Sequence, residues 1–223
     1  MNRAVAALPL TPGSCLQRGA PLASARGAMV LLHGRGSSAA EIARLADHLA
    51  APGVAFLLPE APSRSRGSWY PQRFLAPRAA NEPQLSAALA TVEAAVGELL
   101  AAGLPPARIA VGGFSQGACL ALEHAAAGLR PLAFVAGLSG ALPGPLDVPR
   151  APGRLPGLPV LLACADDDAH IPREHVDASA AWFAAAGAAV TRLRFPGAHH
   201  GLFPEELAWL RAQVAERLAG TGD

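Results

Sequence analysis

The chain reads as short apolar runs that alternate with segments of helical period. "GAMVLLHG" over 27–34 is continuously apolar and stops at glycine, the pattern of a strand buried on both faces. "SSAAEIARLADHLA" follows. Its Ser38 and Glu41 read as a capping box, and Ile42, Leu45 and Leu49 mark one helical face. "GVAFLLP" predicts the next strand. Asn81 then opens a long helix, with Leu85, Leu89, Val92, Val96 and Leu99 at spacings of four and three, which Gly103 and Pro105 end. "RIAVGGF" (108–114) predicts a strand and "SQGACLALEHAAAG" a helix. "PLAFVAGLSG" and "LPVLLACA" are further strands. "REHVDASAAWFAAAG" predicts a helix, "AVTRLRF" a strand and "PEELAWLRAQVAERLA" the last helix. Such alternation implies a mostly parallel sheet with helices on both faces, and function at the carboxyl ends of its strands. No internal repeat appears. Two segments, 61–80 and 140–157, are irregular, and loops of that length in a compact domain are often functional.

Composition narrows the picture. A chain of 223 residues suits one α/β domain spanning 1–223, and 52% hydrophobic residues supply a core. A net charge of +1 without charged blocks argues against nucleic-acid partners and a polybasic membrane patch. The longest apolar runs are strand-sized, so no spanning helix and no integral membrane contact are expected. The N-terminal "MNRAVAALPLTPGSC" has an apolar stretch of only about seven residues, at the lower edge for an export signal. Pro9 and Pro12 interrupt it, and Pro12 stands where a lipoprotein site before Cys15 needs an aliphatic residue. A cytoplasmic protein is expected. Cys15, Cys119 and Cys164 form no disulfide or metal framework, and the latter two sit in apolar segments as small hydrophobes.

Three strand ends carry candidate chemistry. In "GGFSQG", Gly113 to Gly117 match Gly-x-Ser-x-Gly between a strand and a helix. A sharp turn there pushes the Ser115 hydroxyl clear of the sheet, and the flanking glycines remove side chains that would clash. In "HGRG" (33–36), small residues let the Arg35 amide point into the site, where it pairs with the Gln116 amide as an oxyanion hole. His33 is expected to anchor that loop by hydrogen bonds. In "ACADDDAHIP" (163–172), three consecutive acids offer a carboxylate to orient a histidine. A metal site on Asp166, Asp167, Asp168 and His170 is the weaker reading, since adjacent acids on an extended loop diverge. "AGLSGA" offers Ser139 as a rival nucleophile, but a proline-rich loop follows it and Ala141 replaces the second glycine. The order serine, acid near 168, histidine near 200 is that of the α/β-hydrolases. Which histidine of the His199–His200 pair serves stays open on these grounds.

With these motifs in place, the chain resembles the phospholipase/carboxylesterase family of α/β-hydrolases, which includes acyl-protein thioesterases and small bacterial carboxylesterases. "LHGRG", "GFSQG", "DDAHIP" and "PGAHHGLFPEEL" stand in that family's order, from about Met29 to Leu218. The resemblance implies a serine carboxylic-ester hydrolase, and the lack of a large separate lid domain points to small to medium acyl or aryl esters. Ser115 is implied as nucleophile, Asp168 as the acid in "DAHIP" and His200 as the base in "PGAHH". His199 takes a place where the family usually has glycine. No cofactor or metal is implied, and a homodimer is compatible with it. Cys164-Ala165 departs from the His-Gly usual before the acid loop. Lysophospholipase and acyl-thioesterase activities are the nearest alternatives; an acyltransferase could use the same residues. A dienelactone hydrolase would ordinarily place cysteine at 115. No segment is long enough for a large lid domain. Trp69, Tyr70, Phe74 and Leu75 either line an acyl or aryl pocket or pack their loop onto the domain; Arg64, Arg66, Arg73 and Arg78 read first as solvated charges, with attraction of an anionic group the weaker alternative.

Overall fold

The computed structural model describes residues 15–62 and 65–220. The segment weighed as an export signal, apart from Cys15, and the candidate Arg64 lie outside the described residues. Seven strands form one sheet: β1 (Cys15–Gly19), β2 (Gly27–Leu32), β3 (Val54–Pro59), β4 (Ile109–Phe114), β5 (Val135–Leu138), β6 (Pro159–Ala165) and β7 (Ala189–Phe195). Their order is β1-β3-β2-β4-β5-β6-β7, with β1 antiparallel and every other pairing parallel. The helices are α1 (Ala39–His48), α2 (Gln84–Ala101), α3 (Gln116–Ala126), α4 (Arg173–Ala185) and α5 (Pro204–Gln213), the last continuing as a π-helical turn over Val214–Ala219.

Strands β2 to β6 are buried on both faces, which is why they read as unbroken apolar runs rather than alternations. Along β2 the pleat separates the two layers. Ala28, Val30 and Leu32 pack with residues of α2 and α3, while Met29 and Leu31 pack with residues of α1 and α5. The chain runs outward from β2 to β3, then crosses back to β4 on the other side of β2. Such a reversal opens a crevice at the carboxyl ends of the strands it separates. Here those strands are β2, which leads into "HGRG", and β4, which leads into "GFSQG".

Some elements differ from expectation. β1 is not predicted by the apolar pattern. It is a short, half-exposed edge strand that carries Gln17 and Arg18. Asn81 does not open α2. It is buried in a 3-10 turn, Arg78–Asn81, where its Oδ1 accepts the Gln72 amide at 2.8 Å, and the helix starts at Gln84. Ser38 does cap α1, accepting the Glu41 amide at 3.2 Å, but the Glu41 carboxylate accepts the Ser37 hydroxyl instead of completing the box. By length and composition α2 passes as a possible membrane span, with mean hydropathy 1.2 over 18 residues; scanning for apolar runs misses this because Glu93 and Glu98 interrupt it. In the fold, its Leu85, Val92, Val96 and Leu99 are core residues.

Candidate active site

Ser115 sits between β4 and α3 with φ 54° and ψ −117°, a conformation that side-chain-bearing residues rarely adopt. Its amide donates to the Leu138 carbonyl of β5 at 2.9 Å, which pins the turn to the next strand. The two flanking glycines make the turn possible. A Cβ on Gly113 would lie 2.6 Å from the Gly117 carbonyl carbon, and one on Gly117 would lie 2.4 Å from the Leu32 carbonyl oxygen. The helix thus approaches β2 closer than any side chain allows.

Three polar side chains from three strand ends meet there. His200 Nε2 lies 2.9 Å from Ser115 Oγ, and its Nδ1 lies 2.7 Å from Asp168 Oδ2. The other Asp168 oxygen, Oδ1, accepts the amides of His170 at 2.8 Å and Ile171 at 3.1 Å. The Asp168 side chain is fully buried, whereas His200 keeps 19% exposure. A buried carboxylate with three hydrogen bonds is held in one orientation, and Nδ1–H is the tautomer that serves it. Asp166 turns the other way, toward Arg194 at 2.8 Å. Among the described residues no three His, Cys, Asp or Glu side chains converge as metal ligands.

His199 faces away from this constellation. Its ring meets Phe203 edge-on at 5.6 Å, and its Nε2 covers Gly201 so closely that a Cβ there would be 2.1 Å away. Ser139, the rival serine, is buried at the end of β5 and donates to the Gly201 carbonyl at 3.1 Å, so it holds the loop that carries His200. His33 is buried as well. Its Nδ1 lies 2.8 Å from the Gly34 carbonyl and its Nε2 accepts the Ala61 amide at 3.1 Å, linking the loops after β2 and β3.

A cavity of about 580 Å³ opens over Ser115, and Arg35, Gln116, Tyr70, Phe74, Phe114 and His170 are among the residues that line it. Among the turn, loop and side-chain hydrogen bonds of the described residues, none occupies the Arg35 or Gln116 amide. The candidates of segment 61–80 divide. Tyr70 and Phe74 line the cavity; Trp69 and Leu75 do not. Trp69 is a core residue instead: its indole packs on His33 at 4.9 Å and donates to the His33 carbonyl at 2.9 Å. Leu75 packs, half-buried, on the core. Of the arginines, Arg73 lines the cavity, whereas Arg78 pairs with Glu123 at a neighbouring groove and Arg66 makes no cavity contact. Cys119 also lines the cavity, but burial pushes its thiol up to about 12, so it carries no nucleophilic thiolate at neutral pH.

Several participants escape the sequence patterns. The Gln116 side chain clamps segment 61–80 onto the turn: Oε1 accepts the Trp69 amide at 2.9 Å and Nε2 donates to the Tyr70 carbonyl at 2.8 Å. His170 stands 4.8 Å from the His200 ring, and Phe114 packs on it at 5.1 Å. Glu206, in the first turn of α5, is fully buried and accepts the Phe203 amide at 2.8 Å. Burial pushes its carboxyl up to about 7, against a partial pull downward from the Phe203 and Ser139 backbones. Only the "PEEL" motif hints at it.

A mostly parallel sheet with this order and a serine at the β4–α3 elbow defines an α/β-hydrolase. The chain belongs to the phospholipase/carboxylesterase family, whose sequence pattern matches residues 19–216. A phospholipase/carboxylesterase from Dyadobacter fermentans is 33% identical and superposes with a TM-score of 0.83 over 91% of this chain and 96% of its own. Esterase PE8 is 25% identical, with a TM-score of 0.73 over 92% of this chain and 99% of that one. Acyl-protein thioesterase 1 of Yarrowia lipolytica is 34% identical over an alignment of 131 residues that covers 52% of this chain and 57% of that protein. The chain therefore spans little more than half the length of that curated relative.

Proposed function

We propose that the protein is a serine carboxylic-ester hydrolase acting on small to medium acyl or aryl esters. One observation carries this reading: the continuous relay from buried Asp168 through His200 to Ser115, at 2.7 and 2.9 Å. As Ser115 Oγ attacks the ester carbonyl, His200 Nε2 takes its proton. Asp168 accepts from Nδ1–H and stabilises the imidazolium. The Arg35 and Gln116 amides hold the developing oxyanion, each contributing roughly 3 kcal/mol. His200 Nε2–H then protonates the leaving alcohol, and the acyl group stays on Ser115. Water enters, gives a proton to His200 and attacks the acyl-enzyme; the acid leaves as Ser115 recovers its proton.

Thioesters are a second substrate class for the same steps, favoured by the likeness to an acyl-protein thioesterase. The test is turnover of p-nitrophenyl esters of graded chain length, and of matched thioesters, by wild type and Ser115→Ala. Loss of turnover in the variant is expected. Undiminished hydrolysis would sink the assignment. Added alcohol separates hydrolysis from acyl transfer by the products formed.

A further inference from the structure

The charged side chains that line the cavity are all basic, and the nearby Glu41 carboxylate is engaged by the Ser37 hydroxyl at 2.6 Å. Two guanidinium groups line it, Arg35 and Arg73, and no Asp or Glu does. The acid beneath, Asp168, is buried, with both oxygens engaged. Both arginines are held in place by neutral groups. Arg35 donates from Nη1 to the Pro71 carbonyl at 2.9 Å and also to the Gln72 carbonyl, with its guanidinium 5.9 Å from the Tyr70 ring centre. Arg73 Nη2 donates to the Ala169 carbonyl at 3.0 Å, beside Asp168. Carbonyl partners fix a guanidinium without cancelling its charge. Arg78, from the same segment, is by contrast paired with Glu123. Among the described residues neither Arg35 nor Arg73 forms an ion pair. Fixed cations without counter-charge at a concave site raise the local concentration of anions. Arg73 keeps further N–H donors for a carboxylate or a phosphate.

We propose that the preferred substrates are esters that carry an anionic group, carboxylate or phosphate, away from the scissile carbonyl, and that Arg73 is the residue that selects them. This rests on the serine-ester-hydrolase reading of the same cavity. The anionic group sits near the mouth, where exposed Arg73 reaches it, while the carbonyl sits over Ser115.

The test compares kcat/KM for matched charged and neutral substrates. One arm uses mono-p-nitrophenyl glutarate against its methyl ester, which places a carboxylate on the acyl side. The other uses a monoacylglycerol phosphate against the monoacylglycerol of the same chain, which places a phosphate on the alcohol side. Wild type is expected to favour the anion in at least one arm by roughly tenfold, the low end for hydrogen bonds to charged groups. Arg73→Gln should remove most of that preference, chiefly through KM, and Arg73→Lys should restore part of it. In wild type the preference should also shrink between about 20 and about 500 mM salt, as the screening length falls. That measurement needs no variant. A charged-to-neutral ratio at or below one in both arms, or a ratio unchanged in Arg73→Gln, overturns the proposal. In either case neutral-ester turnover that still depends on Ser115 leaves the hydrolase reading standing. Failure to hydrolyse any of these esters overturns both.

Discussion

Asp168 and His200 face each other at 2.7 Å from the ends of neighbouring strands β6 and β7, and two backbone amides fix the carboxylate from behind. Replacing this acid by its amide keeps the shape and reverses the hydrogen bond. Asp168→Asn offers Nδ1 a donor, so the tautomer that leaves Nε2 free to accept from Ser115 is lost. kcat on a p-nitrophenyl ester should fall roughly 10⁴-fold with little change in KM. Asp166→Asn should stay near wild type, since that side chain is spent on Arg194. Equal losses at 166 and 168 would mean the acid has been misassigned. Steady-state kinetics on both variants decides it.

The histidine pair tests the loop register. His200 reaches Ser115, and His199 lies against Phe203 and Gly201. His200→Ala should lose turnover by roughly 10³-fold or more, leaving what binding and the oxyanion donors supply. His199→Ala opens a small gap over Gly201 and should only weaken turnover. Reversed outcomes would place the base at 199.

The elbow glycines test packing rather than chemistry. In Gly117→Ala the new methyl would stand 2.4 Å from the Leu32 carbonyl oxygen and 2.5 Å from that of His33, both backbone atoms of the central crossing. Neither can give way without moving β2. Destabilisation of about 3 kcal/mol or more is expected, in the range of severe core lesions. Urea unfolding of Gly117→Ala beside Gly157→Ala measures it. Gly157 is exposed and a Cβ there meets nothing, although its φ of 70° carries a strain of its own. A smaller loss at 117 than at 157 would show that α3 can retreat from β2.

What the sequence revealed follows from how locally each feature is encoded. The buried strands and the Ser115 elbow are written in runs of apolar residues and in glycine spacing, so they read directly. "DAHIP" and "PGAHH" sit beyond strands, and family likeness was needed to choose Asp168 among three acids and His200 between two histidines. β1 was illegible because an exposed edge strand needs only one paired side and no apolar run. Trp69 stays ambiguous in the sequence because an aromatic in a long loop can cover the core or line a cavity. The His33 carbonyl that takes its indole hydrogen is 36 residues away. The Gln116 clamp, the His170–His200 contact and the burial of Glu206 depend on which loops meet, and no local pattern records that.

Glu206 gives the fold a pH dependence that a single substitution isolates. Its carboxyl is raised from the ordinary value of 4.5 to about 7, first by burial and further by Glu205 nearby. Between these values the folded protein holds a proton that the unfolded chain has released. Folded molecules then bind more protons, so stability falls as pH rises across that window. Below about 4.5 both states are protonated and nothing is lost; above about 7 the full cost of a buried carboxylate remains. Glu206→Gln keeps an oxygen for the Phe203 amide and cannot ionise. The variant should therefore match wild type near pH 4.5 and exceed it near pH 8, by on the order of 3 kcal/mol at most. Denaturant midpoints of both proteins across that range give the difference directly, free of the other titrating groups they share. Parallel curves would show that Glu206 is ionised in the fold at the lower pH as well. The loop that leads into its helix also carries the Gly201 contact of Ser139, so kcat in Glu206→Gln should fall less than in Glu206→Ala, which loses the Phe203 hydrogen bond and leaves α5 free to shift beside His200.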